Sequence, residues 1–420
     1  MTFRGPEGLP PTAALPGGVF GASFPARQAT PGPRVSIVAV EGTDALARWV
    51  PAWEELAMDA IEPNVFYEPW QILPAVEAFG AAIRLVHLLV FSAAADAPAG
   101  GPLLIAYFPL ERRKARGLGM PEIALWKHVH CFLCTPLVRK GHAREALSAV
   151  LEWARTDPRG AAIIRFPQVA GDGSFATELA AQLRARRRPS FIHGDYERAL
   201  FVPREDAGRY LVDSLPNKSR KQYRRLMRRL AEIGRLDFTA LGPGGDLRGW
   251  VEDFLRLEAS GWKGRMASAL ACRESERRFF LSMTAEAFRR GRLGMIAMNL
   301  NGRPIAMKCN LMADRGSFSF KIAFDESYER FSPGVLLEIE NIRWLHETPG
   351  LQWMDSCAAP DHPMANRLWI DRRRIQTVSV ATGRPLGDSL VRALPLMRWL
   401  AQRIPGRRSA GAAPATGESS

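Results

Sequence analysis

No stretch of the chain approaches the eighteen or so uninterrupted apolar residues that a membrane span requires, and the best run, Gly101 to Leu110, falls far short. The N-terminus, MTFRGPEGLPPTAALPGGVF, lacks a compact apolar segment behind a basic start, so no secretory signal is expected. Cysteine is scarce. Five in 420 residues, without a disulfide-like framework, fit a reducing cytoplasm, and the sequon Asn217-Lys218-Ser219 is then read as chance. There is also no Walker loop, no GxGxxG after a strand, no HExxH and no GxSxG.

What is present suits a globular protein: 47% of residues are apolar and 24% charged. A chain this long exceeds one ordinary core and predicts two domains plus tails. The net charge of +14 favours an anionic partner, whether nucleic acid, a phosphorylated cofactor or an acidic membrane surface. Residues 1–33 and the end, GRRSAGAAPATGESS, are rich in Pro, Gly and Ala and are expected to be disordered.

Between the tails the periodicity predicts two passes through a similar order of elements. The first has a strand at Val35–Val40, helices at Thr43–Met58 and Pro69–Phe79, strands at Ile83–Phe91 and Leu103–Arg112, a helix at His142–Trp153 and a strand at Ala161–Phe166. The second has a strand at Leu236–Leu241, helices at Asp246–Ser260 and Glu274–Arg290, strands at Leu293–Leu300, Pro304–Met312 and Ser317–Asp325, a helix at Pro333–Glu347, and strands at Leu351–Ser356 and Ile375–Thr382. Asn301-Gly302 marks a hairpin turn. The predicted class is α/β with a mixed sheet, divided into 34–205, 206–387 and a basic amphipathic segment with tail, 388–420.

Strand, two helices, three-stranded meander, helix, strand, strand resembles the acyl-CoA N-acyltransferase fold known as GNAT, and two such units in tandem resemble the Fem-type transferases. The CelD-like branch is the nearest resemblance. It rests on LEASGWKGRMASAL (Leu257–Leu270), FKIAFDESYERFSPGVLLE (Phe320–Glu338) and WMDSCAAPDHPMANRLWIDRR (Trp353–Arg373), with FYEPWQILPAVEAFG (Phe66–Gly80) a weaker likeness in the first half. The resemblance implies an acyltransferase using acetyl-CoA or a longer acyl-CoA, without a metal. It also implies that the loop before the Pro333 helix and that helix's N-terminus hold the pyrophosphate.

The residues at that terminus fit an anion seat. Ser332 suits the N-cap, Pro333 the first helical position, and Gly334 leaves the backbone approachable. Val335 stands where a capping box would place a carboxylate, and the first acid, Glu338, is more than a turn inside. The superfamily's Gln/Arg-x-x-Gly-x-Gly/Ala signature is reduced to Arg330 followed by Phe331, Ser332, Pro333 and Gly334, with a single glycine. Matching the apolar faces of the second and third meander strands sets Met307 opposite Ile322, Cys309 opposite Phe320 and Lys308 opposite Lys321. Lys321 is a cofactor-binding candidate because it leads into that loop, although two lysines splayed into water explain the pattern equally.

Acyl transfer to an amine needs a proton acceptor and a group that polarises the thioester carbonyl. Asp355, on a strand face with Trp353 and Cys357, is the base candidate, with capping of the next turn as its plain alternative. Cys357 and His362 offer an acyl-cysteine route, whereas Cys309 reads as core. The resemblance puts Trp262 and Lys263 at the acceptor pocket. His128, His130, Cys131 and Cys134 in KHVHCFLC are zinc-ligand types without a second half at a standard spacing, and an alternating strand also accounts for them.

LPNKSRKQYRRLMRRLAEIGR (Leu215–Arg235) predicts a helix with Tyr223, Leu226, Met227 and Leu230 on one face and cations on the rest, suited to tRNA, coenzyme A phosphates or an acidic polymer, or else a solvated connector. DSLVRALPLMRWLAQRIPGRR (Asp388–Arg408) either docks on the domain or lies on the inner membrane face, and Pro395 favours docking. The expected function is transfer of an acyl group from acyl-CoA to an amine, on a sugar or envelope and exopolysaccharide precursor, in the cytoplasm. An aminoacyl-tRNA-dependent Fem-type peptidyltransferase and a non-catalytic component of a polysaccharide synthesis complex are the alternatives.

Overall fold

Seven strands come from the first half: β1 (Val35–Val40), β2 (Arg84–Ser92), β3 (Leu103–Lys114), β4 (Pro121–Leu125), β5 (Leu137–Val138), β6 (Ile163–Ala170) and β7 (Ser190–Phe201). Six follow: β8 (Leu236–Ala240), β9 (Leu293–Leu300), β10 (Arg303–Met312), β11 (Gly316–Phe324), β12 (Trp353–Asp355) and β13 (Asp371–Ala381). The helices of the first half are α1 (Thr43–Ala47), α2 (Val50–Met58), α3 (Pro69–Phe79), α4 (Ala143–Thr156) and α5 (Ser174–Ala185). Those of the second are α6 (Ala207–Ser214), α7 (Asn217–Ala231), α8 (Leu247–Ser260), α9 (Trp262–Arg265), α10 (Glu274–Arg289), α11 (Pro333–Glu347), α12 (Pro363–Leu368) and α13 (Pro385–Arg403). This computed structural model describes residues 35–93, 102–115 and 119–403. The tails expected to be disordered, 1–33 and the end of the chain, lie outside the described residues.

The thirteen strands among the described residues join one sheet in the order β1-β2-β3-β4-β6-β13-β7-β12-β11-β10-β9-β8, with β5 on β3. Each half is an antiparallel meander ending in a parallel pair, β4 with β6 and β11 with β12. The last strand of each half then crosses over: β7 pairs with β12 of the second half, and β13 is inserted between β6 and β7. The halves therefore exchange strands, which ties their folding together through backbone hydrogen bonds.

Local chemistry accounts for the details. Asn301 and Gly302 both take positive φ, 51° and 76°, as a tight hairpin turn requires. The β10–β11 register matches the sequence expectation only near the loop, where Leu311 faces Phe318 and Asn310 faces Ser319. A bulge between Cys309 and Asn310 then shifts it, so Cys309 faces Lys321, Lys308 faces Ile322 and Met307 faces Ala323. The expected Lys308–Lys321 pair does not form. KHVHCFLC is likewise not a strand: residues 126–136 are irregular and, apart from the half-buried Lys127 and Val129, buried.

The two faces of the sheet carry separate cores. One holds Met307, Cys309, Phe318 and Phe320 under α8 and α10, and continues into the first half around Trp53, Phe66 and Tyr107. The other holds Ile305, Ile322 and Met354 under α11, with Tyr223, Leu226 and Leu230 of α7. His87 is fully buried in the first core, its Nδ1 2.7 Å from the Tyr107 hydroxyl. Burial pushes its pKa down to about 4. The unfolded chain titrates near 6.5, so unfolding takes up a proton below that pH, and stability is lost as pH falls from about 6.5 towards 4. Between pH 7 and pH 5 the His87 share is about 2 kcal/mol. Guanidinium unfolding at the two pH values is expected to show that difference shrinking by this amount in His87→Gln.

Candidate active site

The site begins where a strand pair comes apart. β12 pairs with β11 only at Gly316, Ser317 and Phe318. From Ser319 to Phe324 that edge of β11 faces no strand, and the chain after Asp355 runs off into Ser356–His362 and α12. The wedge contains a small cavity of about 20 Å³ lined by residues that include Lys308, Ser319, Lys321, Glu338, His362 and Trp369. α11 starts at the open end: a methyl group added to Gly334 would lie 3.3 Å from the Phe324 ring and 3.9 Å from Ile322.

The α11 terminus differs from the sequence expectation. Ser332 is the N-cap but in the left-handed conformation, φ 53°, and its side chain makes no capping bond. A turn of 3₁₀ helix, Glu326–Phe331, runs straight into it and dictates that geometry. The Ser332 amide donates to the Glu329 carbonyl at 2.7 Å, and those of Val335 and Leu336 both donate to the Ser332 carbonyl at 3.1 Å. Pro333 has no N–H. Among the four candidates, Gly334 is thus the position whose amide remains for an anion. The helix is as buried as its all-round apolar pattern predicts, with Leu336, Leu337, Ile339, Ile342 and Leu345 inside.

The bulge at Phe320 sends Lys308 and Lys321 to opposite faces. Lys308 meets Glu338 of α11 at 2.7 Å, and Glu338 also accepts from Asn341 and Trp369. Lys321 meets Glu258 of α8 at 3.7 Å, and Lys263 of α9 approaches the same carboxylate at 3.6 Å. Lys263 also donates to the Ile322 carbonyl at 3.3 Å, on the splayed part of β11. Glu258 is 3% exposed; its Oε2 accepts the Leu270 amide, while its Oε1 has no hydrogen-bond partner. Glu258, Trp262, Lys263, Phe324 and Glu326 line a second cavity of about 20 Å³. Glu258 thus sits between two lysines beside the unpaired edge of β11, with Glu276 also close enough to interact with Lys321.

The first half closes this corner. His130 Nε2 lies 3.1 Å from Glu276 of α10, and its ring stacks on Phe279. Burial pushes His130 below the usual histidine range, more strongly than the Glu276 bond raises it. His128 stacks on Phe79, and the buried Cys131 and Cys134 sulfurs are 3.8 Å apart. Among the described residues no group of three or more His, Cys, Asp or Glu is arranged to hold a metal ion.

Asp355 is not placed to act as a base. It is fully buried, with Oδ1 2.7 Å from Arg198 Nε, Oδ2 2.8 Å from Arg373 Nη1, and Oδ1 accepting the Cys357 amide. Burial alone would raise its carboxyl, but the two guanidiniums outweigh that and hold it below the usual carboxylate range. A proton acceptor needs the opposite. Arg198 comes from β7 and Arg373 from β13, so Asp355 fastens the strand exchange. The acyl-cysteine route also fails. Burial and then the Asp355 charge push the Cys357 thiol up, while His362 Nδ1 accepts the Ala365 amide and caps α12. Cys309 is core, pushed up to about 12 by burial.

Residues 217–362 match the family described as an acetyltransferase (GNAT) domain, so the second half carries a GNAT-type domain. The structure is similar to the crystal structure of FemX, at TM-score 0.53 and 10% identity over 81% of this chain and 96% of that one. It is also similar to a conserved protein of unknown function from Bacteroides thetaiotaomicron, at TM-score 0.51 and 12% identity over 82% and 100% of the two chains. A tandem GNAT protein from the clavulanic acid biosynthesis pathway matches at TM-score 0.42 and 16% identity over 84% and 99%. No curated protein matches the chain. The family match assigns a GNAT-type acetyltransferase domain to residues 217–362, and the likeness to FemX is one of fold, within one mixed α/β sheet.

Sequence reasoning did not find Glu258, Glu276 or the role of His130. Glu258 sits in the quoted LEASGWKG stretch, and a lone carboxylate between Leu257 and Ala259 on an otherwise apolar helix face was a usable signal. Glu276 had none, because its partner His130 lies 146 residues away.

Proposed function

We propose that this protein is an N-acyltransferase that moves an acyl group from acyl-CoA to an amine, with a sugar or envelope-polysaccharide precursor of the CelD-like kind as acceptor. The observation that carries this reading is the parting of β11 from β12 after Phe318, with the buried Glu258–Lys263–Lys321 cluster against the open edge. A thioester arm laid along Ser319–Phe324 would meet strand amides where no strand pairs. The Lys321 ammonium then faces charge developing on the carbonyl oxygen. Glu258 holds Lys321 in place through their ion pair, the attacking amine passes its proton to solvent, and collapse of the tetrahedral intermediate expels the coenzyme A thiolate, which solvent protonates. Trp262 and Lys263 border the acceptor side. Amide product formed from acetyl-CoA and an amino sugar, with release of free thiol, tests the reading; no thiol release with any amine tried would contradict it.

A second reading, transfer from aminoacyl-tRNA, is favoured by α7. This helix presents Lys218, Arg220, Lys221, Arg224, Arg225, Arg228 and Arg229 with no acid in its first turn, and it packs against the 3₁₀ turn that precedes α11. A steep fall of donor affinity with salt is expected from a polyanion contacting many of these cations, and a shallow one from coenzyme A.

A further inference from the structure

α13 is docked along only part of its length. Val391 and Leu394 are buried against Ala162, Ile163 and Ala381. From Pro395 to Leu400 every residue is exposed, and four of the six are large and apolar: Leu396 at 59%, Met397 at 42%, Trp399 at 46% and Leu400 at 49%. At 100° per residue these four occupy one arc of the helix, with Arg398 on the opposite side. Arg403 lies over the Trp399 ring at 3.7 Å.

We infer that the C-terminal half of α13 is an interfacial anchor that lays this apolar arc into an anionic lipid surface. The inference is independent of the acyltransferase reading. Charge chooses the occupant. Between Asp388 and Glu418 the sequence contains no acid, but it has Arg392, Arg398, Arg403, Arg407 and Arg408. A second copy seated on the arc would bring two such basic runs together, on a protein already at +14. A leaflet of anionic lipid complements them, and a Trp-containing apolar arc flanked by arginines is the pattern of helices that lie in the headgroup region. No helix among the described residues is long and apolar enough to cross a membrane, so the helix lies on the surface instead. Pro395 marks where docking on the sheet ends.

Cosedimentation of the full chain with vesicles tests this. Binding to vesicles of phosphatidylcholine containing phosphatidylglycerol is expected to exceed binding to phosphatidylcholine alone by at least tenfold, and to weaken with salt. The double variant Leu396→Glu/Leu400→Glu should lose at least tenfold of that binding and keep the melting temperature of the parent, since both side chains are exposed. Failure to sediment with anionic vesicles overturns the inference. So does binding that the double variant leaves unchanged, or a concentration-dependent dimer, seen by analytical ultracentrifugation, that the double variant abolishes.

Discussion

Replacing Asp355 with alanine is expected to destabilise the protein by about 3–5 kcal/mol, because it strands Arg198, 2% exposed, without its counter-charge. The loss should exceed that of any single ion-pair deletion on the surface, where pairs such as Arg248–Glu252 are screened by solvent. The geometry explains the size. Arg198 on β7 and Arg373 on β13 both converge on β12, and Arg198 also donates to the Phe132 carbonyl at 2.7 Å. The triad thus binds the exchanged strands to the irregular segment that carries His130. Unfolding in guanidinium reads the change directly. A base would behave differently: its removal would abolish turnover and leave the unfolding midpoint in place, and that result would restore Asp355 to the chemistry. The same contacts predict acid sensitivity. A carboxylate held below its unfolded value contributes stability at neutral pH that is lost as pH falls through its folded value.

Lys321→Met is expected to lower kcat by about 10²- to 10³-fold while leaving the protein folded, the scale associated with removing one group that stabilises a developing oxyanion. Glu258 retains Lys263 as an ion-pair partner after the substitution. Methionine also replaces the lysine stem with comparable apolar volume in a site that is 7% exposed. Steady-state rates with acetyl-CoA, alongside a melting curve, separate the outcomes. An unchanged kcat with a raised KM would mean that Lys321 serves binding alone. A folded variant with parental kcat and KM would remove it from the site.

The parts of this fold that were legible in the sequence are those fixed by short-range chemistry. Alternation in Ile305–Leu311 and Phe318–Phe324, the Asn301-Gly302 turn and the proline that opens α11 located their elements to within a residue or two. Three strands were missed, β5 (Leu137–Val138) because it is only two residues long and the other two for different physical reasons. β4 spans only Pro121–Leu125, and β7, SFIHGDYERALF, is dominated by polar and charged residues along a mostly solvated first part. β7 becomes a strand because β12 and β13 flank it, a tertiary cause that local propensity cannot show. The candidate site divides in the same way. Trp262 and Lys263 line a cavity beside β11, Lys321 is on that strand, and Gly334 opens α11 against Phe324, while their roles rest on the resemblance alone. The register error at Lys308 came from one extra residue, Phe320, and a bulge of that kind reverses which face every later side chain occupies. Asp355 looked like a base because its strand face was apolar. The arginines that neutralise it come from positions 157 and 18 residues away.

The central claim is that the wedge between β11 and β12, together with the start of α11, takes a pantetheine thioester. Titration calorimetry with acetyl-CoA tests it most directly, using the parent protein, Gly334→Asp and Ser332→Asp. Asp tolerates the left-handed backbone at 332 and favours a helix N-terminus, so Ser332→Asp keeps the fold while placing a carboxylate against the phosphates. Saturable binding by the parent, lost at least tenfold in both folded variants, is the predicted result. Acetyl-CoA binding that neither carboxylate weakens, or no binding by the parent, would contradict the account.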